Sequence, residues 1–237
     1  MGSNRDLGQE PIFEVFIDSQ SRSFWKVISW KIEQLQRRES STPESDLSRS
    51  LIIDLSGFVE ALLSEILLVA TNVNLPLIIE GLHQKGTANN RLVRDFHARL
   101  EAATWSQYDE LVRIALGKSL SKHVPNEIWK GLQHLATLRN MLSHGKAPHY
   151  TASRSVKGTI DLRFHSKYDA VYTYLVEKKV VPQMKSIRES VQLISSDTLN
   201  HFIDTVNAFL VAMNQALSEE MRESLTMLKT MRPLPRL

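Results

Sequence analysis

Residues 138–145, Leu-Arg-Asn-Met-Leu-Ser-His-Gly, place three chemically capable side chains within six positions. Arg139 carries a permanent charge on a planar fork that matches phosphate oxygens. His144 has the side chain best suited to proton transfer near neutral pH, and the Asn140 amide can orient either neighbour. Together they are a sufficient set for metal-free cleavage of RNA, in which a 2′-hydroxyl attacks the adjacent phosphate.

The spacing of these residues gives two alternatives. On an ideal helix Arg139 and His144 lie about 140° apart, whereas Asn140 and His144 share one face. A helix that ends at Ser143 would free His144 to converge with Arg139. One histidine performs one of the two proton transfers, so a second copy in a symmetric dimer would complete a composite site. The structural alternative is that Arg139 and His144 cap the last helix carbonyls, where cations are favourable.

Composition excludes several other chemistries. The chain has no cysteine, which removes thiolate nucleophiles, iron–sulfur clusters and cysteine-based zinc sites. No pair among the eight histidines has the spacing of helical metal ligands, and we predict neither a metal nor another cofactor. The run 117–119, Gly-Lys-Ser, resembles the end of a P-loop but lies in a helical context. The net charge of +3 permits an RNA partner without favouring one.

Nothing in the sequence predicts a membrane protein. Residues 51–70 are apolar over about the length of a membrane span, but Asp54, Glu60 and Glu65 interrupt them. These carboxylates favour a buried core helix instead. The first residues lack the apolar core of a signal peptide, and we expect a cytoplasmic protein.

Hydrophobic periodicity predicts an all-α bundle with a small β-strand insertion. The predicted helices cover residues 23–38, 48–70, 92–104, 107–120, 125–145 and 196–229, the last of them capped by Ser195 or Ser196. Asn72, Asn74 and Pro76 are expected to end the second of these helices. Residues 156–164 alternate as a strand does, and residues 11–18 are a candidate partner strand.

These elements suggest five segments. Residues 1–45 form an N-terminal extension, with a possible strand and an amphipathic helix, and residues 46–147 form the core with the motif. Residues 148–195 are the strand and short-helix insertion, 196–230 the final bundle helix, and 231–237 a flexible tail. The insertion carries cations and three tyrosines that could contact RNA or form an ordinary solvated surface. They are Arg154, Lys157, Arg163, Lys167, Tyr168, Tyr172 and Tyr174.

Arg139-Asn140-x-x-x-His144, at the end of a helix in an all-helical chain, resembles the Arg-x(4–6)-His signature of the HEPN superfamily. The polar residue after the arginine is the type that catalytic members favour. Residues 58–63, Phe-Val-Glu-Ala-Leu-Leu, also resemble the early helix of the family, which often carries a glutamate; here this is Glu60. The resemblance covers residues 46–147 and the last helix.

The resemblance implies a HEPN-like bundle and a dimeric, metal-independent endoribonuclease that leaves 2′,3′-cyclic phosphate ends, of the kind found in toxin–antitoxin and antiviral defence systems. Arg139 would then hold the phosphate, His144 would be the acid or base, and Asn140 would orient them. Glu60, Ser143 and Lys146 are supporting candidates.

The resemblance leaves two candidate partners and one alternative function for such a protein. Lys146 stands where members paired with a nucleotidyltransferase antitoxin usually have a tyrosine, which weakens that pairing. A different antitoxin or a defence-system protein is a further candidate partner. Some HEPN domains are non-catalytic modules for dimerisation or for binding RNA or protein, and this is the alternative function.

Overall fold

The structure is a computed structural model. It describes residues 20–37, 44–80, 95–96, 98–100, 103–144, 150–154, 160–164, 167–183, 193–225, 228 and 232–237. The candidate strand at 11–18 and the candidate site residue Lys146 lie outside these described residues.

The described part of the chain is all-α apart from one small hairpin. Its elements are α1 (Gln20–Arg37), α2 (Glu44–Glu80), α3 (Trp105–Leu116), α4 (Leu120–His123), α5 (Asn126–Ser143), β1 (Tyr150–Arg154), β2 (Ile160–Phe164), α6 (Lys167–Glu177), α7 (Ser196–Ala216) and α8 (Glu219–Ser224). Residues 95–96 and 98–100 are also helical. The predicted all-α class is therefore confirmed.

Helix α2 is the centre of the bundle. Its apolar residues are fully buried almost all round the helix, as the sequence predicts for a core element. It packs against α1, α3, α5 and α7. Its fully buried residues include Leu51, Ile52, Leu55, Phe58, Val59, Leu62, Leu63, Ile66 and Leu67.

The predicted end of this helix at 72–76 is wrong, because α2 continues to Glu80 through Pro76. A proline inside a helix removes one backbone hydrogen bond and costs roughly 3 kcal/mol. The preceding turns of α2 are anchored in the core, and that packing offsets a local helix breaker.

Each carboxylate that interrupts the apolar stretch of α2 has a polar partner. Glu65 accepts hydrogen bonds from the Ser21 backbone N–H and hydroxyl at 3.0 and 2.7 Å. Asp54 forms an ion pair with Lys31, and both partners belong to the α1–α2 contact. Partners of this kind offset the cost of removing a carboxylate from water. In the part of the chain that the structure describes, no helix is long and apolar enough to cross a membrane.

Helix α3, which precedes the motif-bearing α5 in the bundle, has a recognisable cap at each end. The Thr104 backbone N–H donates to the Gln107 side chain at 2.7 Å, and α3 begins at Trp105 rather than near 107. Gly117 ends the helix in the left-handed conformation, with φ of 77°. The Gly-Lys-Ser run is thus a helix end, and the predicted continuation to 120 is wrong.

The strand insertion is a two-stranded antiparallel hairpin. Ile160 pairs with Arg154, and Phe164 pairs with Tyr150. The strand predicted at 156–164 is confirmed over Ile160–Phe164 as β2, while residues 156–159 lie outside the described residues. The observed partner of β2 is β1, which the sequence pattern did not indicate. Helix α6 follows the hairpin. Its three tyrosines are buried, so they cannot form the RNA-contacting surface considered for the insertion: Tyr168, Tyr172 and Tyr174.

The C-terminal region differs from the predicted single helix followed by a flexible tail. Ser195 caps α7 as predicted, accepting from the Thr198 backbone N–H at 3.2 Å. Helix α7 ends at Ala216, and Ser218 caps the separate short helix α8 by accepting from Met221 N–H. Residues 232–237 then lie against α7, where the Asn207 amide hydrogen-bonds the Leu234 backbone in both directions.

Candidate active site

Helix α5 positions the motif. Leu132, Leu135 and Leu138 are fully buried and fix the rotation of the helix against α2 and α7. Because the buried stripe occupies one face, Arg139 is left at the bundle surface with 28% of its side chain exposed. Asn140 is exposed. The sequence therefore presents the first half of the motif on the open side of a well-anchored helix.

The guanidinium of Arg139 lies between a carboxylate and an amide. Its Nη2 forms an ion pair with Glu60 Oε2 on α2. Its Nη1 donates to the Asn140 side-chain oxygen at 2.8 Å. The two terminal nitrogens thus hold one partner each, and the fork is oriented by both α2 and α5.

Glu60 is held from a second helix as well. The Trp105 indole N–H at the start of α3 donates to Glu60 Oε1 at 2.7 Å. Each carboxylate oxygen therefore has its own donor, and 25% of the Glu60 side chain stays exposed. The site thus joins three helices that are distant in the sequence.

Two hydroxyl groups adjoin Glu60: the partly buried Ser64, which donates to the Glu60 backbone carbonyl, and the buried Tyr108. Ser64 and Tyr108 are within hydrogen-bonding distance through their oxygens, at 3.1 Å. Burial raises the pKa of Tyr108 above its ordinary value, the Ser64 hydrogen bond opposes this shift, and the charge of Glu60 adds to it. Tyr108 therefore serves as a neutral hydroxyl at physiological pH rather than as a phenolate.

His144 is the C-cap of α5. Its backbone N–H bonds the Asn140 carbonyl at 3.3 Å, and its φ and ψ are −90° and 8°. This i to i−4 bond keeps the backbone of residue 144 on the helical path, so His144 stays on the Asn140 face rather than leaving the helix geometry. Both Ser143 and His144 are exposed at the end of the helix.

The capping alternative fails for Arg139 within the described residues, because its guanidinium bonds Glu60 and Asn140 side chains and not the last carbonyls of α5. For His144, the structure shows backbone capping and no side-chain hydrogen bond to a described residue.

The arrangement is a row of four groups: carboxylate, guanidinium, amide and imidazole. Glu60 contacts Arg139, Arg139 contacts Asn140, and His144 lies one helical turn beyond Asn140. Such a row can bind a phosphate at its cation and offers a proton-transferring group at each end.

The sequence contains no motif that predicts Trp105 and Tyr108 as part of the site. Trp105 and Tyr108 reach Glu60 and Ser64 only through the packing of α3 on α2. A signal for Ser64 did exist, since it lies four residues after Glu60 and therefore on the same helix face. Among the described residues, no group of His, Asp and Glu side chains could hold a metal ion.

No protein family, curated protein or solved structure matches this chain.

Proposed function

We propose that this protein is a metal-independent endoribonuclease of the HEPN type, with a HEPN-like bundle. The observation that carries the proposal is the Arg139 fork at the open side of α5, held by Glu60 and Asn140, with the exposed His144 one turn away. We further propose cytoplasmic RNA as the substrate and toxin–antitoxin or antiviral defence as the setting.

In the proposed reaction, Arg139 binds the scissile phosphate and stabilises the charge that builds on it. His144 transfers one proton, and Asn140 orients the guanidinium through the 2.8 Å contact. The 2′-oxygen attacks phosphorus and the 5′-oxygen leaves, which gives a 2′,3′-cyclic phosphate and a 5′-hydroxyl. A second proton-transferring group is required, and the His144 of a second copy in a homodimer is the source that the motif suggests.

The test is cleavage of a labelled, unstructured RNA in EDTA by the purified protein. Arg139→Ala and His144→Ala should each lower the rate by roughly 10²–10⁴-fold while the circular dichroism spectrum is unchanged. Arg113→Ala is the matched control, because Arg113 is an exposed arginine paired with Glu110 on α3, and it should cut at the wild-type rate. Wild-type rates in both motif variants would contradict the proposal.

A second candidate function is a non-catalytic module for dimerisation or for binding RNA or protein. The ion pair supports it, because Glu60 already neutralises Arg139 in a contact that joins α2 to α5. In this case purified protein leaves RNA intact under all conditions, and the same variants change stability or dimer formation. A neighbouring reading frame for a nucleotidyltransferase or another antitoxin would bear on the partner.

A further inference from the structure

Residues 232–237, Arg-Pro-Leu-Pro-Arg-Leu, lie along α7 as a peptide ligand lies along its receptor. The segment runs antiparallel to the helix, and three pairs of residues meet in order: Leu234 with Asn207, Arg236 with Asp204, and Leu237 with Asn200. Residues three and four apart share one face of a helix, so the same face continues toward the end of α7. We define the α7 stripe as Asn200, Asp204, Asn207, Val211 and Asn214.

Amide side chains of the α7 stripe bind the backbone of this segment. The Asn207 amide donates to the Leu234 carbonyl at 3.0 Å and accepts from the Leu234 N–H at 2.8 Å. Asn200 accepts from the Leu237 N–H at 2.7 Å. Main-chain hydrogen bonds of this kind give a bound peptide its affinity, whereas pockets for its side chains give specificity.

The side chains of the segment are recognised as well. Leu234 is buried, Leu237 is half-buried against the core, and both prolines are exposed. Arg236 Nε donates to Asp204 at 2.9 Å, and its Nη2 contacts the other carboxylate oxygen. Gln36 of α1 donates to the Arg236 carbonyl at 2.6 Å. The surface thus reads an extended sequence with two leucines and one arginine.

The α7 stripe extends beyond the part that this segment covers. Val211 is 56% exposed, and an open cleft of about 270 Å³ lies beside it. The described lining of this cleft is mostly apolar and includes Leu210, Leu228 and Pro233. Arg232 borders the cleft but is itself exposed, so the segment presents a cation where the surface offers an apolar wall. The internal segment is therefore an incomplete fit to the surface that holds it.

We propose that the α7 stripe and its cleft form a docking site for an extended peptide of a partner protein. The peptide has the chemistry Leu-Pro-Arg-Leu, with an apolar residue two positions before its first leucine, and residues 232–237 are the internal occupant that it replaces. The first leucine of the partner takes the Leu234 pocket, its backbone bonds Asn207, and its apolar residue enters the cleft beside Val211. Proline favours such binding, because an already extended segment loses less conformational freedom.

The apolar residue decides the competition with the internal segment. A segment tethered by a short linker has an effective concentration on the order of millimolar, so a free peptide replaces it only by binding more tightly. Burying one further apolar side chain raises an affinity by roughly tenfold or more. The cleft beside Val211 is the place where a partner gains this advantage.

The first experiment measures peptide binding by fluorescence anisotropy. The probes are labelled Arg-Pro-Leu-Pro-Arg-Leu and the same peptide with Arg232→Leu. The receptor is the full chain with Leu234→Asp or, as a second release variant, Leu234→Ser, and circular dichroism checks that each is folded. We expect the release variants to bind both peptides about tenfold or more tightly than the wild type does, and the Arg232→Leu peptide to bind about tenfold more tightly than its parent.

The second experiment tests where the peptide binds. In a release variant, Asn207→Ala should lower the affinity for both peptides by about tenfold or more, because the peptide backbone loses two hydrogen bonds. Gln215→Ala is the matched control, since Gln215 is an exposed amide of α7 outside the stripe, and it should change neither affinity.

The third experiment needs no release variant. Val211 is exposed, so Val211→Ser should leave the fold intact. In an otherwise wild-type chain it should weaken binding of the Arg232→Leu peptide by several-fold. In a release variant it should leave the affinity for the parent peptide unchanged, because the parent does not enter the cleft.

Four outcomes overturn the inference. Folded release variants that bind neither peptide would make residues 232–237 a structural element only. Equal affinities for the two peptides, or a Val211→Ser chain that binds the Arg232→Leu peptide as the wild type does, would exclude the cleft and leave this segment, from the same or a second copy, as the occupant. Binding that Asn207→Ala does not weaken would place the peptide elsewhere. None of these measurements depends on RNA cleavage, so the proposed function is tested separately.

Discussion

Glu60 on α2 and Arg139 on α5 form an ion pair across 79 residues of sequence. About a quarter of each side chain stays exposed, so the pair is neither a free surface contact nor a fully buried one. It contributes to the packing of two core helices, and it also fixes the one cation of the motif.

The strength of this pair is measurable with a double-mutant cycle of Glu60→Gln and Arg139→Gln. We expect a coupling free energy of about 1 kcal/mol, between the values typical of exposed and of buried pairs. Arg139→Gln alone should cost more than Glu60→Gln alone, because it leaves a half-buried carboxylate with only the Trp105 N–H. Urea unfolding at pH 7 gives each value. If the effects of the two single variants are additive, the coupling free energy is zero and the ion pair does not stabilise the fold.

The sequence could predict the features that local residues decide. The apolar run of α2 predicts its central position, and Ser195 predicts the start of α7. The Trp105 contact to Glu60 could not be predicted, because the two residues are 45 positions apart and only the packing of α3 on α2 joins them. Pro76 misled the prediction for the opposite reason: tertiary packing outweighed a strong local signal. The roles of Arg139, Asn140 and His144 stay predictions.

A second cluster of titratable groups lies between α5, α6 and α7. The Tyr174 hydroxyl is 2.9 Å from His201 Nε2, and the His134 ring stacks on the Tyr174 ring with centroids 4.2 Å apart. Burial lowers the pKa of both histidines and raises the pKa of Tyr174 to about 12. The charged neighbours oppose one another in part: Lys130 and Lys178 favour neutral imidazoles, whereas Glu177 and Asp204 favour protonated ones.

This cluster predicts that the fold loses stability below about pH 6.5. In the unfolded chain both histidines return to the ordinary pKa of 6.5, so the unfolded state binds protons first as the pH falls. The free energy of unfolding then decreases by at most about 1.4 kcal/mol per pH unit for each proton. Denaturant unfolding between pH 7.5 and 5 measures this slope. His201→Gln should make the slope shallower, and parallel curves for the variant and the wild type would contradict the assignment.

Gly131 predicts a steric effect at the crossing of α5 and α7. A Cβ added there would lie 2.7 Å from Thr205 Cγ2 and 3.0 Å from the Tyr174 hydroxyl, both on buried residues. Gly131→Ala should therefore destabilise the fold by roughly 1–3 kcal/mol. Thr205→Ser in the same chain removes the nearest methyl group and should recover part of the loss.

Gly57→Ala is the matched control for this substitution. Its added Cβ would meet the ring of Phe24 at 2.9 Å, but that ring is only partly buried and can rotate away. Because alanine also favours a helix over glycine by about 1 kcal/mol, Gly57→Ala should be close to neutral. Thermal unfolding compares the two variants directly, and equal losses would show that the Thr205 contact is not the cause.

The C-terminal segment is held against α7 by several side chains, among which Asn207 bonds the backbone of the buried Leu234. Asn207 on α7 donates to the Leu234 carbonyl at 3.0 Å and accepts from the Leu234 N–H at 2.8 Å, and the Leu234 side chain is buried. Asn207→Ala leaves both backbone groups without these partners and should cost roughly 1–3 kcal/mol in the free energy of unfolding. Arg236→Ala is the control, since it removes only an exposed ion pair with Asp204 and should not change stability measurably. Limited proteolysis gives a second measurement, because Asn207→Ala should expose the bonds after 231 while Arg236→Ala leaves them protected. Equal cleavage of the two variants would contradict the role of Asn207.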